Sequence, residues 1–225
     1  MGGVPVEGPC HHRLIETMRL ESDGQVRLWP WHQARLAASA RALDWPEPPP
    51  DLLERVRLHT CVHEVRRIRL LYDAEGTVAL QHAPLGSMAE PARLRRATAV
   101  LGPQAVLAST ERRLRHKLTD RPWYDAATVW LADHDDTFDL IFGNEHGQVC
   151  EGSRTTIYAR QDGNWLTPPV SDGCLPGTQR AALLAEGQVR EASLTWHDLA
   201  QADALRLSNA LRGWVDATYE AESDG

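Results

Sequence analysis

The stretches Val65 to Tyr72 and Thr77 to His82 are strand-like runs on either side of Asp73-Ala74-Glu75-Gly76. That spacing is too short for a helical crossover and ends in glycine, so the pair predicts a β-hairpin. The pattern recurs along the chain. Leu14 to Arg19 precedes a turn at Gly24 and a second candidate strand, Gln25 to Leu28. Phe138 to Phe142 precedes a turn at Gly143-Asn144, and Thr155 to Arg160 precedes Trp165 to Thr167. Further strands are expected at Thr128 to Ala132, after Trp123 to Ala127, and at Ala204 to Leu207, the last in the chain. Helical patterns are fewer. Trp31 to Leu43 places Leu36, Ala40 and Leu43 on one face. Pro46 and the run Pro48 to Pro50 end it. Leu52 to Leu58, Gly177 to Leu184 and His197 to Ala202 read as short helices. Strands that arrive in hairpins, rather than in strict alternation with helices, predict an α+β fold over a doubly wound sheet.

Ala97 to Ala108 contains Gly102-Pro103 and has little periodicity. It is expected to join two lobes: residues 1–100 as a small N-terminal lobe, 101–108 as the connection and 109–225 as the C-terminal lobe. A chain of 225 residues can bury a core in each. The formal net charge of -7 excludes broad nucleic-acid binding, which needs a basic face. The local clusters Arg66-Arg67 and Arg112-Arg113 are expected to be solvated faces. The four cysteines, Cys10, Cys61, Cys150 and Cys174, form no CxxC pair, which fits a reducing, cytoplasmic setting. Residues 1–13 lack the apolar core of a secretory signal, and no apolar run approaches the ~20 residues that span a bilayer. Cys10-His11-His12 has no obvious further ligands, so no metal site is expected.

Lysine is scarce, and arginine supplies most of the positive charge. Arginine stays protonated, so a lysine retained in such a chain is a candidate amine nucleophile. Lys117 is one, although a lone lysine is far more often a surface residue. Glu151-Gly152 lies between two expected strands, where an acid faces either a ligand or solvent. Leu175-Pro176-Gly177-Thr178-Gln179-Arg180 sets a glycine before a helix start. Free N–H groups and the positive end of the helix dipole make such a place an anion or phosphate site, or simply an ordinary helix end.

The joint order of the segments is more specific than any one of them. His32-x-x-Arg35-Leu36 is followed by Lys117-Leu-Thr-Asp-Arg121-x-x-Tyr124-Asp125, then by Asn144-Glu-x-Gly147-x-Val149-x-Glu151-Gly152. Thr167-Pro168-Pro169, Leu175-Pro-Gly177-Thr178-x-Arg180 and Ser208-Asn209-Ala210-Leu-Arg212-Gly213 complete the series. From about residue 14 to residue 214 the chain resembles the class IV aminotransferase family, fold type IV of the pyridoxal-phosphate enzymes. Glu16-Thr17-Met18-Arg19 is similar to that family's first strand. The resemblance implies a two-lobed α+β enzyme, with a small N-terminal α/β lobe and a larger C-terminal lobe built on a mixed sheet or barrel. It implies pyridoxal 5'-phosphate as cofactor, a small-molecule amino substrate and a homodimer.

The resemblance also implies roles. Lys117 bonds to the cofactor aldehyde and later moves protons. Glu151 faces the pyridine nitrogen and keeps it protonated, which deepens the electron sink. Arg35 holds the phosphate together with N–H groups at Gly177 and Thr178, with Gln179 standing where members often carry a hydroxyl. The Ser208-Asn209-Ala210 turn approaches the same phosphate. Tyr124 receives no role from its spacing. Branched-chain transaminases, D-amino-acid transaminases and aminodeoxychorismate lyases share these residues. The Asn209 to Gly213 block and the short chain resemble the lyase branch, which makes 4-aminobenzoate and pyruvate from 4-amino-4-deoxychorismate for folate synthesis. Arg19 and Arg212 are then candidates for the substrate carboxylates. A transaminase of the same fold is the alternative. A non-catalytic cofactor-binding homologue is a third reading, against which Lys117, Glu151 and Arg35 stand together.

Overall fold

The computed structural model describes residues 12–58 and 64–220, so Cys10, His11 and Cys61 lie outside the described residues. The N-terminal part comprises β1 (Leu14–Leu20), α1 (Trp29–Ala42), α2 (Leu52–Leu58), β2 (Arg66–Tyr72) and β3 (Val78–Pro84). The strands form an antiparallel sheet in the order β1-β2-β3. Along β1 the burial alternates, with Leu14, Glu16, Met18 and Leu20 turned inward. On β2 the inward residues are Ile68, Leu70 and Tyr72. These pack with Leu36 and Ala40 of α1 and Leu52 and Val56 of α2. The expected hairpin is present: Gly76 adopts φ 80, and Asp73 Oδ1 accepts from Thr77 N at 2.8 Å. Tyr72 Oη donates to Pro46 O at 2.8 Å and ties the proline-rich spacer to the core.

The remaining elements are β4 (Ala92–Arg96), α3 (Ala97–Leu101), β5 (Val106–Leu107), α4 (Pro122–Ala132), β6 (Asp139–Asn144) and β7 (Gln148–Gly152). They continue with β8 (Thr156–Gln161), β9 (Asn164–Thr167), α5 (Thr178–Ala185), β10 (Arg190–Glu191), β11 (Leu194–Thr195), α6 (Trp196–Gln201), β12 (Ala204–Asn209) and β13 (Gly213–Tyr219). Their strands form one sheet in the order β10-β9-β8-β12-β13-β4-β6-β7-β11, with β5 also on β6. Pairing is parallel at β13–β4 and β4–β6 and antiparallel at β6–β7, β8–β9 and β12–β13. The fold is the expected α+β arrangement with a mixed sheet.

Several local expectations are corrected. Gln25 to Leu28 is not a strand: only Val26 bridges to Leu20, because Leu28 at φ 61 turns the chain straight into α1. Thr128 to Ala132 is the second half of α4. Its β-branched and aromatic residues suggest a strand, but Pro122 starts a helix whose Tyr124 and Ala127 face the core. β4 and β13 were not expected. They pair with each other, which puts residues 92–96 in the larger sheet and moves the break between sheets from residue 100 to the stretch between Pro84 and Ala92.

Candidate active site

Lys117 sits on a strap that crosses between the two sheets. Ile15 N donates to Lys117 O at 2.7 Å, Thr119 N donates to Arg13 O at 2.8 Å, and Leu118 is buried in the N-terminal core. The backbone is thus clamped along the start of β1 on both sides of Leu118, the residue that follows Lys117. The half-buried amine donates to Thr17 Oγ1 at 3.4 Å. Burial lowers its pKa to about 7, helped by the nearby guanidinium of Arg35 and opposed by Glu16. Lys117 is also the sole lysine among the chain's 24 lysines and arginines. That fact was available from the sequence and is a sharper signal than scarcity.

Arg35 projects from α1. Its Nε and Nη2 donate to Glu16 Oε1 and Oε2 at 2.9 and 2.6 Å, and its Nη1 reaches Pro176 O at 3.3 Å. His32 Nδ1 lies 2.5 Å from Glu16 Oε2. Glu16 occupies an inward position among leucine and methionine, so it needs these partners. Burial pushes its pKa up, but Arg35 and the bond to His32 outweigh that and hold it at about 2. Glu16 and His32 are supports that the sequence reading did not assign.

Glu151 lies on β7 and is buried. Burial raises its pKa to about 7, against the lowering effect of the Tyr124 hydrogen bond and of Arg121. Tyr124 reaches it from α4 at 2.6 Å, with the Arg121 guanidinium over the Tyr124 ring at 4.6 Å. Below, Asp139 is fully buried and accepts from Ser153 N and Oγ, Arg154 N and Thr155 Oγ1 at 2.6–3.2 Å. It gathers the loop after β7 into a tight turn. A Cβ at Gly152 would fall 2.3 Å from Asp139 Oδ2, so glycine is required there.

The start of α5 carries no side-chain cap at Gly177, leaving backbone N–H groups of the first turn to whatever lies in front. A Cβ at Gly177 would come 2.9 Å from Thr156 Oγ1, so a side chain would intrude on β8. Thr178 and Gln179 are buried, and Gln179 Oε1 has no hydrogen-bond partner among the described residues. Ser208 Oγ meets Tyr158 Oη at 2.7 Å, and Asn209 Oδ1 accepts from Leu211 N and Arg212 N, which shapes the turn.

Arg35, Lys117, Glu151, Gly177, Thr178, Gln179, Ser208, Asn209 and Ala210 all line one cleft with about 540 Å³ of open space. The sequence-ordered set is therefore also a spatial set. Arg121, Arg154 and Thr156 share the wall and were not anticipated as site residues. Arg19 and Arg212 are not among the lining residues. Arg19 is taken up by Glu21 and by Leu211 O, and Arg212 Nη1 donates to Gly86 O at 2.5 Å. Among the described residues no group of three His, Cys, Asp or Glu could hold a metal. The cleft fits a phosphorylated pyridine aldehyde. It offers a near-neutral amine, a carboxyl poised between its two states, and an uncapped helix start beside a guanidinium.

The comparisons with known proteins agree. A sequence profile described as amino-transferase class IV matches residues 13–218. A Schizosaccharomyces pombe protein, provisionally named an aminodeoxychorismate lyase, is 27% identical over 172 residues, covering 75% of this chain and 72% of the relative. A Mesorhizobium loti structure, provisionally named an amino-acid aminotransferase, is 31% identical with a TM-score of 0.81, covering 93% of this chain and 100% of that one. A hypothetical aminotransferase from Mycobacterium tuberculosis in its PLP-bound form is similar in fold, with a TM-score of 0.69 at 22% identity over 98% of this chain and 87% of that one. The chain belongs to the class IV aminotransferase family and is a pyridoxal-phosphate-dependent enzyme.

Proposed function

We propose that the protein is a lyase that converts 4-amino-4-deoxychorismate to 4-aminobenzoate and pyruvate, with Lys117 as the catalytic residue. The observation that carries the chemistry is the near-neutral amine of Lys117, lining the same cleft as the poised carboxyl of Glu151. Bound there, the cofactor supplies an aldehyde for amines and a ring that takes up electrons. Arg35 and the N–H groups at Gly177 and Thr178 would hold its phosphate, and Glu151 would keep a proton on the ring nitrogen. Not bonded to the cofactor, the Lys117 amine would be unprotonated in a useful fraction of molecules at neutral pH. It can remove the ring proton beside the substrate nitrogen, and return a proton to the departing enolpyruvyl carbon. Thr17 Oγ1, which accepts from Lys117 Nζ at 3.4 Å, would position that amine for both transfers. The resulting ring is aromatic, which drives the carbon–oxygen cleavage.

The lyase name of the S. pombe relative supports this reading, and the aminotransferase name of the M. loti structure supports the second, a transaminase on the same residues. The deciding assay supplies aminodeoxychorismate without any 2-oxo acid. Pyruvate is expected. Pyruvate that forms only after a 2-oxo acid is added would exclude the lyase. Lys117→Ala is expected to abolish the visible absorbance of bound cofactor.

We also propose a cytoplasmic homodimer. A largely apolar hollow formed by Trp31, Ala34, Ala38, Pro176 and Ala181 lies beside Arg35 and supports a subunit contact there. Light scattering on the loaded protein is expected to give twice the chain mass. No helix among the described residues is long and apolar enough to cross a membrane.

A further inference from the structure

We propose that a second chamber, which shares Lys117 and Arg121 with the phosphate cradle, is a dicarboxylate subsite in which Arg67 and Arg69 set the specificity for an amine with two carboxylates. This assigns specificity-determining residues to the reading above, whose substrate carries two carboxylates, and rests on it for the direction of entry.

The alternation of β2 creates the subsite. Ile68, Leu70 and Tyr72 turn into the core, so Arg67 and Arg69 must emerge together on the opposite face. Two residues apart on one strand, their Cα atoms are roughly 7 Å from each other. That face opens on a chamber also lined by Thr17, Lys117, Arg121 and Asp125. Register fixes the approach to the amine. Arg69 pairs directly with Thr17 on β1, and Thr17 Oγ1 is the group that Lys117 Nζ contacts. Arg69 is close enough to depress the Lys117 pKa. Lys117 and Arg121 line both chambers, so a molecule held by Arg67 and Arg69 can offer its nitrogen to Lys117 without displacing a group in the cradle.

The charge balance points to an anion. Three guanidinium groups and one amine face this space against a single carboxylate, Asp125. Among the described residues, the side chains of Arg67 and Arg69 have no ion pair or hydrogen-bond partner. Arg66, the other half of the sequence cluster, does have partners in Glu64 and His82. Arg121 is held in place by Ser153 O at 2.6 Å and the Tyr124 ring, which leaves further N–H donors free to point inward. Uncompensated like charges gathered beside a nucleophile repel one another, and a dianion cancels that repulsion through charge-assisted, bidentate bonds. A monoanion satisfies only one of the two strand arginines.

The test is equilibrium binding of glutarate and butyrate to the cofactor-loaded protein by calorimetry, with Arg67→Gln, Arg69→Gln and the double variant. The two probes have chains of similar length but differ by one carboxylate, and neither has an amine to react. Glutarate is expected to bind about tenfold or more tightly than butyrate, as one further charge-assisted pair implies, and to lose that margin at high salt. Each single variant should narrow the margin and the double variant should erase it, with the cofactor's visible absorbance retained throughout. Equal affinity for the two probes in the unmodified enzyme, or glutarate binding undiminished in the double variant, overturns the subsite. The outcome is separable from the lyase assay: selective glutarate binding without pyruvate release would leave the subsite standing and remove the lyase.

Discussion

Tyr124 Oη donates a 2.6 Å hydrogen bond to Glu151 Oε1, and that carboxyl has a pKa of about 7. The bond favours the ionised carboxylate, while burial favours the acid, so Tyr124 sets how far Glu151 ionises at neutral pH. Tyr124→Phe removes the donor and raises the Glu151 pKa further. The acid limb of the kcat profile is expected to move to higher pH, with roughly a tenfold loss at pH 7, the scale of one hydrogen bond to a charged group. A kcat–pH profile with an unmoved acid limb would show that Tyr124 serves packing alone.

Lys117 has the opposite linkage. Its folded pKa lies at about 7, below the ordinary 10.5, so the unfolded chain binds more protons between those values. Stability of the cofactor-free enzyme therefore rises as pH climbs from 7 towards 10.5. Lys117→Met removes the destabilising charge. It is expected to raise Tm at pH 7 by roughly 2–4 °C, about 1 kcal/mol for a chain of this length, and to give no gain near pH 10. Calorimetric melting at several pH values checks the trend.

Glu16 behaves as a stabilising acid. Its folded pKa of about 2 lies below the ordinary 4.5, so its contribution is present above 4.5 and is lost as pH falls through 2. Glu16→Gln strands Arg35 and is expected to lower stability by about 3 kcal/mol at pH 7 while flattening the acid transition between pH 4.5 and 2. Denaturant titrations across that range decide it, and a variant as acid-sensitive as the parent would contradict the assignment.

Asp139 touches no bound group, yet it organises the wall that does. Asp139→Asn turns an acceptor-only side chain into one that offers two donors to the N–H groups of Ser153 and Arg154. A loss of about 2 kcal/mol in stability is expected. Cofactor affinity, titrated by absorbance, should fall in parallel, because the loop from Gly152 to Thr155 lines the cleft.

The residues that a local pattern can show are those whose partners are close in sequence or whose order is distinctive. The hairpin about Gly76 and the helix start at Gly177 are of that kind. Arg35, Lys117 and Glu151 became legible together through their order, although none was telling alone. What stayed hidden depends on distant pairing. Thr17 meets Lys117 across 100 positions, Glu16 looks like an ordinary strand acid until α1 supplies Arg35, and Arg69 reads as a solvated charge until β1 lies beside it. Arg19 and Arg212, whose side-chain type suits a carboxylate, lie outside the lining of the cleft and donate to Glu21 and to the Leu211 and Gly86 carbonyls. β13 escaped notice because its pairing with β4 joins segments more than a hundred residues apart.

Since every other basic side chain except histidine is a guanidinium, an aldehyde in solution meets one side-chain amine on this protein. Most enzymes of this size carry many surface amines that capture free pyridoxal phosphate or sugar aldehydes and blur any count of bound cofactor. Here uptake at side chains is expected to end at one equivalent per chain, fixed by borohydride at Lys117, with the α-amino group as the other amine to account for. Absorbance of the reduced adduct on the peptide that holds Lys117 would thus count intact active sites, and damage to that single side-chain amine by a carbonyl compound would be read as an equal loss of catalyst.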